Sequence, residues 1–383
     1  EPVVTYIPNW PSGSTSSNNA KPVIIVGAGY SPTTKDGAEV GTDDTSGRGV
    51  FILDAESGSL IHSFSPSGSS NTIIPSIVDS IPNSVAILDS NGDRLTDRIY
   101  ATDTGANIWR IDLPSYKTSD WSAFKFASLG GDTKAADRRF FAEPTVAQTS
   151  FTNISEVSVT GPSGTSTVKS YQSVPYDAVA VGTGNRPHPS DKNRSDMFFM
   201  FQDRNITTKS YSSSSGNTIP KTLTKDDLYD VTSSAPITDA DNLAFGAKRG
   251  WYYQFGDVGE KSLAAASIIQ GRVFFTSYVP GKISAMNQCL VAGQGRLYGF
   301  DLHRGTHSYT STYYDIGERV PDTPQLVIPP NGTSDSYMYL IGIGSAGEEM
   351  KKEDFPYDGC APGDNKCIGA GPGVNKNYYH IDE

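Results

Sequence analysis

Residues Gly47 to Phe64 read GRGVFILDAESGSLIHSF, and Gly295 to Tyr309 read GRLYGFDLHRGTHSY. Each opens with Gly-Arg, runs through an alternating strand that ends in Asp, turns at Gly and enters a second strand. Asp97 to Leu113, DRIYATDTGANIWRIDL, repeats the pattern with its turn moved forward. Looser copies begin at Ser195 (SDMFFMFQDRNIT) and at Gly271 (GRVFFTSYVPGKISAM). A second phrase ends strands in Gly-x-Gly, as in PVIIVGAGYS, YDAVAVGTGNRPHP and YMYLIGIGSAGE. Strand-turn-strand units recurring every ~50 residues are the signature of small sheets that bury their faces only against one another. About seven such units fit the chain, so the expected fold is all-β: an irregular, modified seven-bladed β-propeller over residues 1–383.

Composition agrees with many short strands and turns. Of 383 residues, 38 are Gly, 24 Pro and 20 Tyr, and only 36% are hydrophobic. Helical periodicity is almost absent. Two stretches rich in Ser and Thr, TNISEVSVTGPSGTSTVKSYQ and NITTKSYSSSSGNTIPKTLTKDDLYDVTSSAPITDADN, read as exposed polar insertions. The charge of −11 argues against nucleic acid and anionic membranes as partners, and leaves cations favoured. No apolar run has the length of a membrane-spanning helix, and the first residues, EPVVTYIPNW, lack a signal-peptide pattern. The chain reads as one domain cut from something longer. Cys360 and Cys367 enclose CAPGDNKC and are expected to pair in an oxidising compartment, which leaves Cys289 odd.

One turn carries more acid than a turn needs. In VAILDSNGDRLTDRIYATD, Val85 to Asp103, oxygen side chains fall at Asp89, Asn91, Asp93 and Asp97, and Leu95 can offer its backbone carbonyl. Numbered from Asp89, these are places 1, 3, 5, 9 and 7. A helix-flanked calcium loop wraps its ion with the same alternation, although it is twelve residues long and ends in Glu. Three carboxylates crowded on one short loop repel, and a hard divalent cation relieves that repulsion. An Asn-Gly hairpin with solvated acids accounts for Asn91 and Gly92, but not for the spaced aspartates. Ca2+ suits a flexible all-protein oxygen cage better than Mg2+. Arg94 stands where the longer loop has Gly, so the turn geometry is expected to differ. The loop is expected to be an exposed hairpin able to relax when empty, and hence a regulatory switch.

A nine-residue calcium loop between two strands of a quinoprotein-like propeller resembles the C-terminal domain of the PilY/PilC proteins of type IV pili. KPVIIVGAGY, GVFILDAESGSLI, FFAEPTVAQ, AVAVGTGNRPHP and CLVAGQGRLYGFDLHRGT extend the likeness over most of the chain. Its most specific part is LDSNGDRLTDRIYATDTGANIWRIDL. The resemblance implies that Asp89, Asn91, Asp93, Leu95 and Asp97 hold Ca2+. It implies a non-enzymatic protein that supports pilus biogenesis, opposes retraction and contributes to twitching motility and adhesion. The implied place is the bacterial surface, at the pilus tip or outer membrane, reached by secretion through the periplasm. The implied partners are major or minor pilins and host surface ligands. The chain has no Arg-Gly-Asp, an adhesion motif of some members. A quinone-dependent dehydrogenase is the alternative, but the Cys-Cys pair common beneath the quinone is missing.

Weaker signals have plainer readings. GIGSAG (Gly342 to Gly347) spells a dinucleotide fingerprint, yet Pro356 soon breaks the required helix, so a propeller strand end is expected. Arg186, His188, Asp191 and Arg194 suit a loop with internal salt bridges. Asp239, Asp241 and Asn242 read as a solvated turn. His62, His188, His303, His307 and His380 form no metal-binding pair on a helix, and no nucleophile elbow is present. Trp10, Trp109, Trp121 and Trp251 are expected to dock one blade on the next.

Overall fold

The structure is a computed structural model that describes residues 1–35, 40–162, 164–281, 293–308 and 310–324, with the backbone of three further strands, Leu326–Val327, Tyr337–Leu340 and Lys351–Asp354. Cys289, Cys360, Cys367, His380 and the GIGSAG stretch lie outside the described residues.

The chain forms five separate sheets in sequence order, and no sheet among the described residues closes on itself. The first joins Val3–Thr5, Val23–Gly27, Val50–Asp54, Leu60–Ser65 and Thr72–Ile73. The second is a meander of Ala86–Leu88, Arg98–Thr102, Asn107–Asp112 and Ser122–Ser128. The third runs Thr145–Gly161, Gly164–Gly182, Met197–Asp203 and Gly250–Gln254, with Tyr229–Asp230 added parallel at the edge. The fourth holds Ser267–Ile269, Arg272–Pro280, Gly293–Asp301 and Tyr314–Asp315, and the fifth the three last strands.

Period-two alternation explains how the sheets stack. In the strand Met197–Asp203, Met197, Phe199 and Phe201 pack with Tyr100, Ile108 and Phe126 of the second sheet. Phe198 and Met200 face the other way, onto Phe275, Tyr298 and Phe300 of the fourth. Phe198 stacks on Phe275 with ring centroids 3.7 Å apart. Ile99, Ala101, Trp109 and Ile111 of the second sheet meet Val23, Ile25, Ile52 and Phe64 of the first. Inner sheets are therefore buried on both faces. Three of the four tryptophans are buried in these inter-sheet layers, while Trp10 packs at the edge of one and donates its Nε1 proton to Asp54 at 2.9 Å.

The recurring phrases acquire physical causes here. The Asp that ends a strand gathers the N–H groups of the following turn. Asp54 Oδ1 accepts from Glu56 and Ser57, Asp203 Oδ1 from Asn205, and Asp301 Oδ1 from Arg304. This is the side-chain turn for which Asp is favoured. The Gly-x-Gly endings mark close approach between sheets. A Cβ at Gly27 would lie 2.6 Å from Ile81 O, and one at Gly182 would lie 2.3 Å from Ser262 Cβ.

The two polar insertions differ. The first is a long regular ribbon, Thr145–Gly161 against Gly164–Gly182, exposed toward its tip over residues 155–162 and 164–169. The second is mostly irregular but ends in a helix, Asp239–Gly246. That corrects the reading of Asp239, Asp241 and Asn242 as a solvated turn. Thr238 and Asp241 form a capping box, with Asp241 Oδ2 accepting from Thr238 N–H at 3.0 Å, so the acids start a helix.

Candidate metal centre

Leu88 and Arg98 are paired across the antiparallel strands Ala86–Leu88 and Arg98–Thr102, and residues 89–97 bridge them. Asp97 N–H closes the loop onto Leu88 O at 3.1 Å. Asp89 organises the interior. Its Oδ1 accepts from Gly92 N–H (2.7 Å) and Asp93 N–H (3.1 Å), and its Oδ2 from Arg94 N–H (2.7 Å). Asn91 Oδ1 accepts from Asp93 N–H at 2.9 Å, and Asp93 Oδ1 from Leu95 N–H at 2.8 Å. Gly92 and Arg94 take left-handed φ values of 79° and 70°. Arg94 thus adopts the conformation a glycine would take, against the expectation of a different turn. The strain is held by the Asp89 carboxylate.

The loop is not the wholly exposed hairpin expected. Asp89 and Asp97 are only 7% and 5% exposed, and Leu95 is buried. Only residues 91–94 face solvent. Packing from three other segments causes this. Thr96 N–H donates to Tyr6 O at 2.7 Å, Gln148 Nε2 reaches Ser90 O at 3.4 Å, and Ser90 Oγ lies 2.9 Å from Thr208 Oγ1. Among the described residues the Asp97 carboxylate accepts from Ser90 alone, through N–H at 3.0 Å and Oγ at 2.6 Å. Burial pushes its carboxyl above the ordinary range; Ser90 and Arg98 pull it back, and neighbouring Asp89 adds to the rise.

Asn91, Asp93, Leu95 and Asp97 border a cleft of about 480 Å3, whose opposite wall includes Tyr116 and Thr208. Among the described residues no three His, Cys, Asp or Glu side chains are gathered as a metal cluster. Several of the loop's oxygens are turned onto N–H and O–H donors. The donor set nonetheless fits a hard cation: three carboxylates, one amide oxygen and the Leu95 carbonyl on nine residues. A buried Asp97 served only by one serine leaves acceptor capacity for such an ion.

Beneath the loop lies a buried ionic layer that the sequence reading missed. Arg98 pairs with Asp177, and its Nη2 donates to Ile206 O (2.8 Å) and Thr208 Oγ1 (2.9 Å). Arg110 binds Asp112 through Nε and Nη2 at 2.7 and 2.8 Å, and Asp203 through Nη1 at 2.7 Å. Tyr100 OH donates to Asp203 at 2.9 Å and to Asp177 at 3.1 Å. Two guanidiniums face three carboxylates in a fully buried site, where loss of one partner costs about 3–5 kcal/mol. The available signal was arginine at two strand positions beside Ile, Tyr and Trp.

The remaining candidates have structural roles. Asp191 pairs with Arg194, which also binds Asp137 at 2.6 Å, as the salt-bridged loop reading expected. His303 Nδ1 lies 2.8 Å from Tyr176 OH, and burial holds His62 down at about 4. Among the described residues no helix is long and apolar enough to cross a membrane.

No family model matches the chain. Over 280 residues it is 25% identical to a type IV pilus biogenesis factor PilY1 homolog from Xylella fastidiosa, covering 69% of this chain and 17% of that protein. The chain therefore spans about a sixth of that relative's length. In fold it resembles the crystal structure of the Pseudomonas aeruginosa PilY1 C-terminal domain. The TM-score is 0.53 at 16% identity, over 93% of this chain and 72% of that one. A quinohemoprotein alcohol dehydrogenase from Pseudomonas putida HK5 aligns at 12% identity over 82% of this chain and 40% of its own, with a TM-score of 0.35, too distant to bear on function.

Proposed function

We propose, for a chain that is a relative of the PilY1 proteins and has the fold of their C-terminal domain, that it acts in type IV pilus biogenesis as a calcium-binding domain of a larger surface protein. In this reading the described sheets belong to a seven-bladed, modified propeller, and the whole chain is one domain. The cation is held by Asp89, Asn91, Asp93, the Leu95 carbonyl and Asp97. The observation that carries this reading is the loop itself. One Asp holds the turn with backbone N–H groups, while Asn91, Asp93 and Asp97 border an open cleft.

When bound, Ca2+ supplies positive charge to a turn that has none of its own apart from exposed Arg94. The chain's residues do the rest. Asp89 fixes the curl, Ser90 aims Asp97, and Leu95 anchors the loop in the core. Because Asp89 and Asp97 are packed, occupancy acts on residues 91–94 and on the cleft they border. This is how the loop would alter engagement of pilin subunits or a host ligand and so affect extension, retraction, twitching and adhesion. A ligand shifts such an equilibrium only through different affinities for the two states. The dehydrogenase alternative gains no observation in its favour.

The test is a calcium titration by calorimetry on the wild-type chain and on Asp97→Ala, paired with piliation and twitching of cells carrying the same variant. Saturable binding lost in the variant, with impaired surface pili at normal protein levels, is the expected result. Equal calcium affinity in both proteins overturns the site. Lost binding with normal pili and motility leaves the ion as a local staple.

A further inference from the structure

Arg204 follows the strand Met197–Asp203 and is half-buried, with its guanidinium 5.3 Å above the Phe151 ring. Its Nε and Nη2 donate to Gln202 Oε1 at 3.3 and 2.8 Å, and Nη2 also donates to Lys248 O at 2.8 Å. These bonds occupy three of the five N–H donors of the fork and leave both on Nη1. The head is thereby fixed in orientation before any ligand arrives, which lowers the entropy lost on binding.

Arg204 has no counter-charge of its own among the described residues, although three aspartates lie near it. Among the described residues no carboxylate forms an ion pair with Arg204 or with exposed Arg249. The acids nearby are already engaged or outward-facing. Asp203 is held by Arg110 and Tyr100, Asp227 by Lys221 at 2.7 Å, and Asp226 is exposed at the rim. Burial and the neighbouring Arg249 bring the Arg204 guanidinium down to about 10. Both arginines line a cleft of about 510 Å3 whose wall also holds Lys248, Asp226 and the paired Asp203 and Asp227. With Asp203 held by Arg110 and Asp227 by Lys221, the two unpaired guanidiniums favour an anion between them.

We propose that this cleft binds an anionic group, a carboxylate or a phosphate, clamped between Nη1 of Arg204 and the guanidinium of Arg249. Arginine forks match the paired oxygens of both groups. No residue of the loop 89–97 lines this cleft, and a titration without calcium reads it separately from the calcium reading.

The test uses the whole chain in calcium-free buffer, titrated by calorimetry with inorganic phosphate and, separately, with citrate. Saturable binding of at least one is expected, and the tighter of the two identifies the ligand as phosphate or carboxylate. Arg204→Gln and Arg249→Gln should each weaken it by about tenfold or more, with each variant's circular dichroism unchanged. Because Arg249 is exposed, its variant folds whatever becomes of Arg204→Gln. Lys21→Gln, at a distant surface pair with Glu56, should bind as the wild type does. No saturable binding by either anion, or wild-type affinity in Arg249→Gln, overturns the assignment.

Discussion

The strand Arg98–Thr102 has an Asp-built turn at each end, and the two turns use the same residue differently. At its C-terminal end, Asp103 is saturated. Its oxygens accept from Gly105 and Asn107 N–H (3.0 and 2.8 Å), from Asn107 Nδ2 (3.1 and 3.0 Å) and from Trp109 Nε1 (2.7 Å). At the other end three aspartates and an asparagine share a comparable set of donors, and Asp97 has only Ser90. One turn has donors enough for its acid, and the other has acid to spare. The surplus, rather than the presence of Asp, distinguishes a site that can take a cation from a turn that caps itself.

That distinction fails if both ends respond alike to calcium. Asp97→Ala should weaken calcium binding by at least about a hundredfold, since it removes a buried charged ligand. Asp103→Asn should leave the affinity unchanged in the same titration. Equal losses in the two variants would erase the difference between the turns.

The saturated end should show itself through pH. Burial and neighbouring Asp79 push Asp103 up to about 6 from an ordinary 3.8, and Asp79 itself is raised chiefly by burial. Groups raised on folding hold more protons in the native than in the unfolded state within that window. Stability therefore falls as pH rises from about 4 to 6. Urea midpoints measured across this range should decline in the wild type and decline less steeply in Asp103→Asn, where Asp79 still titrates.

Backbone strain sharpens the contrast. Arg94 and Ala106 are both left-handed, at φ 70° and 58°. Arg94 is exposed, so Arg94→Gly should relieve strain for a net gain of about 0.5–1 kcal/mol after the added freedom of the unfolded chain. Ala106→Gly removes a fully buried methyl group and should gain less, or nothing. Denaturant melts of the pair decide it. The smallest effect on calcium belongs to Thr208→Ala, which deletes the hydroxyl that meets Ser90 and accepts from Arg98 Nη2, and should weaken calcium about threefold.

Much of the architecture was legible because it is local. Period-two alternation, Asp at strand ends and Gly-x-Gly all act within a few residues, and each found its cause in a turn or a sheet contact. The spacing of Asp89, Asn91, Asp93 and Asp97 was legible for the same reason. What could not be read was everything supplied from afar. Burial of Asp89 and Asp97 depends on Tyr6, Gln148 and Thr208, and the ionic layer joins Arg98 to Asp177 and Arg110 to Asp203. The helix Asp239–Gly246 was missed because Asp239, Asp241 and Asn242 read as a solvated turn when no weight is given to the Thr238–Asp241 capping box.

Thr208 stands 118 residues beyond Ser90, and Asp203 stands 93 beyond Arg110. A chain threading out of a ribosome or a translocation pore therefore exposes residues 89–97 long before their supports exist. Local turns form in microseconds, whereas contacts of such separation wait on slow loop closure. The acidic loop must pass that interval unsupported, with its aspartates solvated. Only when the chain as far as Thr208 has emerged and docked can the site mature. On the proposed calcium reading, affinity would report how far vectorial folding has gone, readable on nascent chains halted on either side of residue 208.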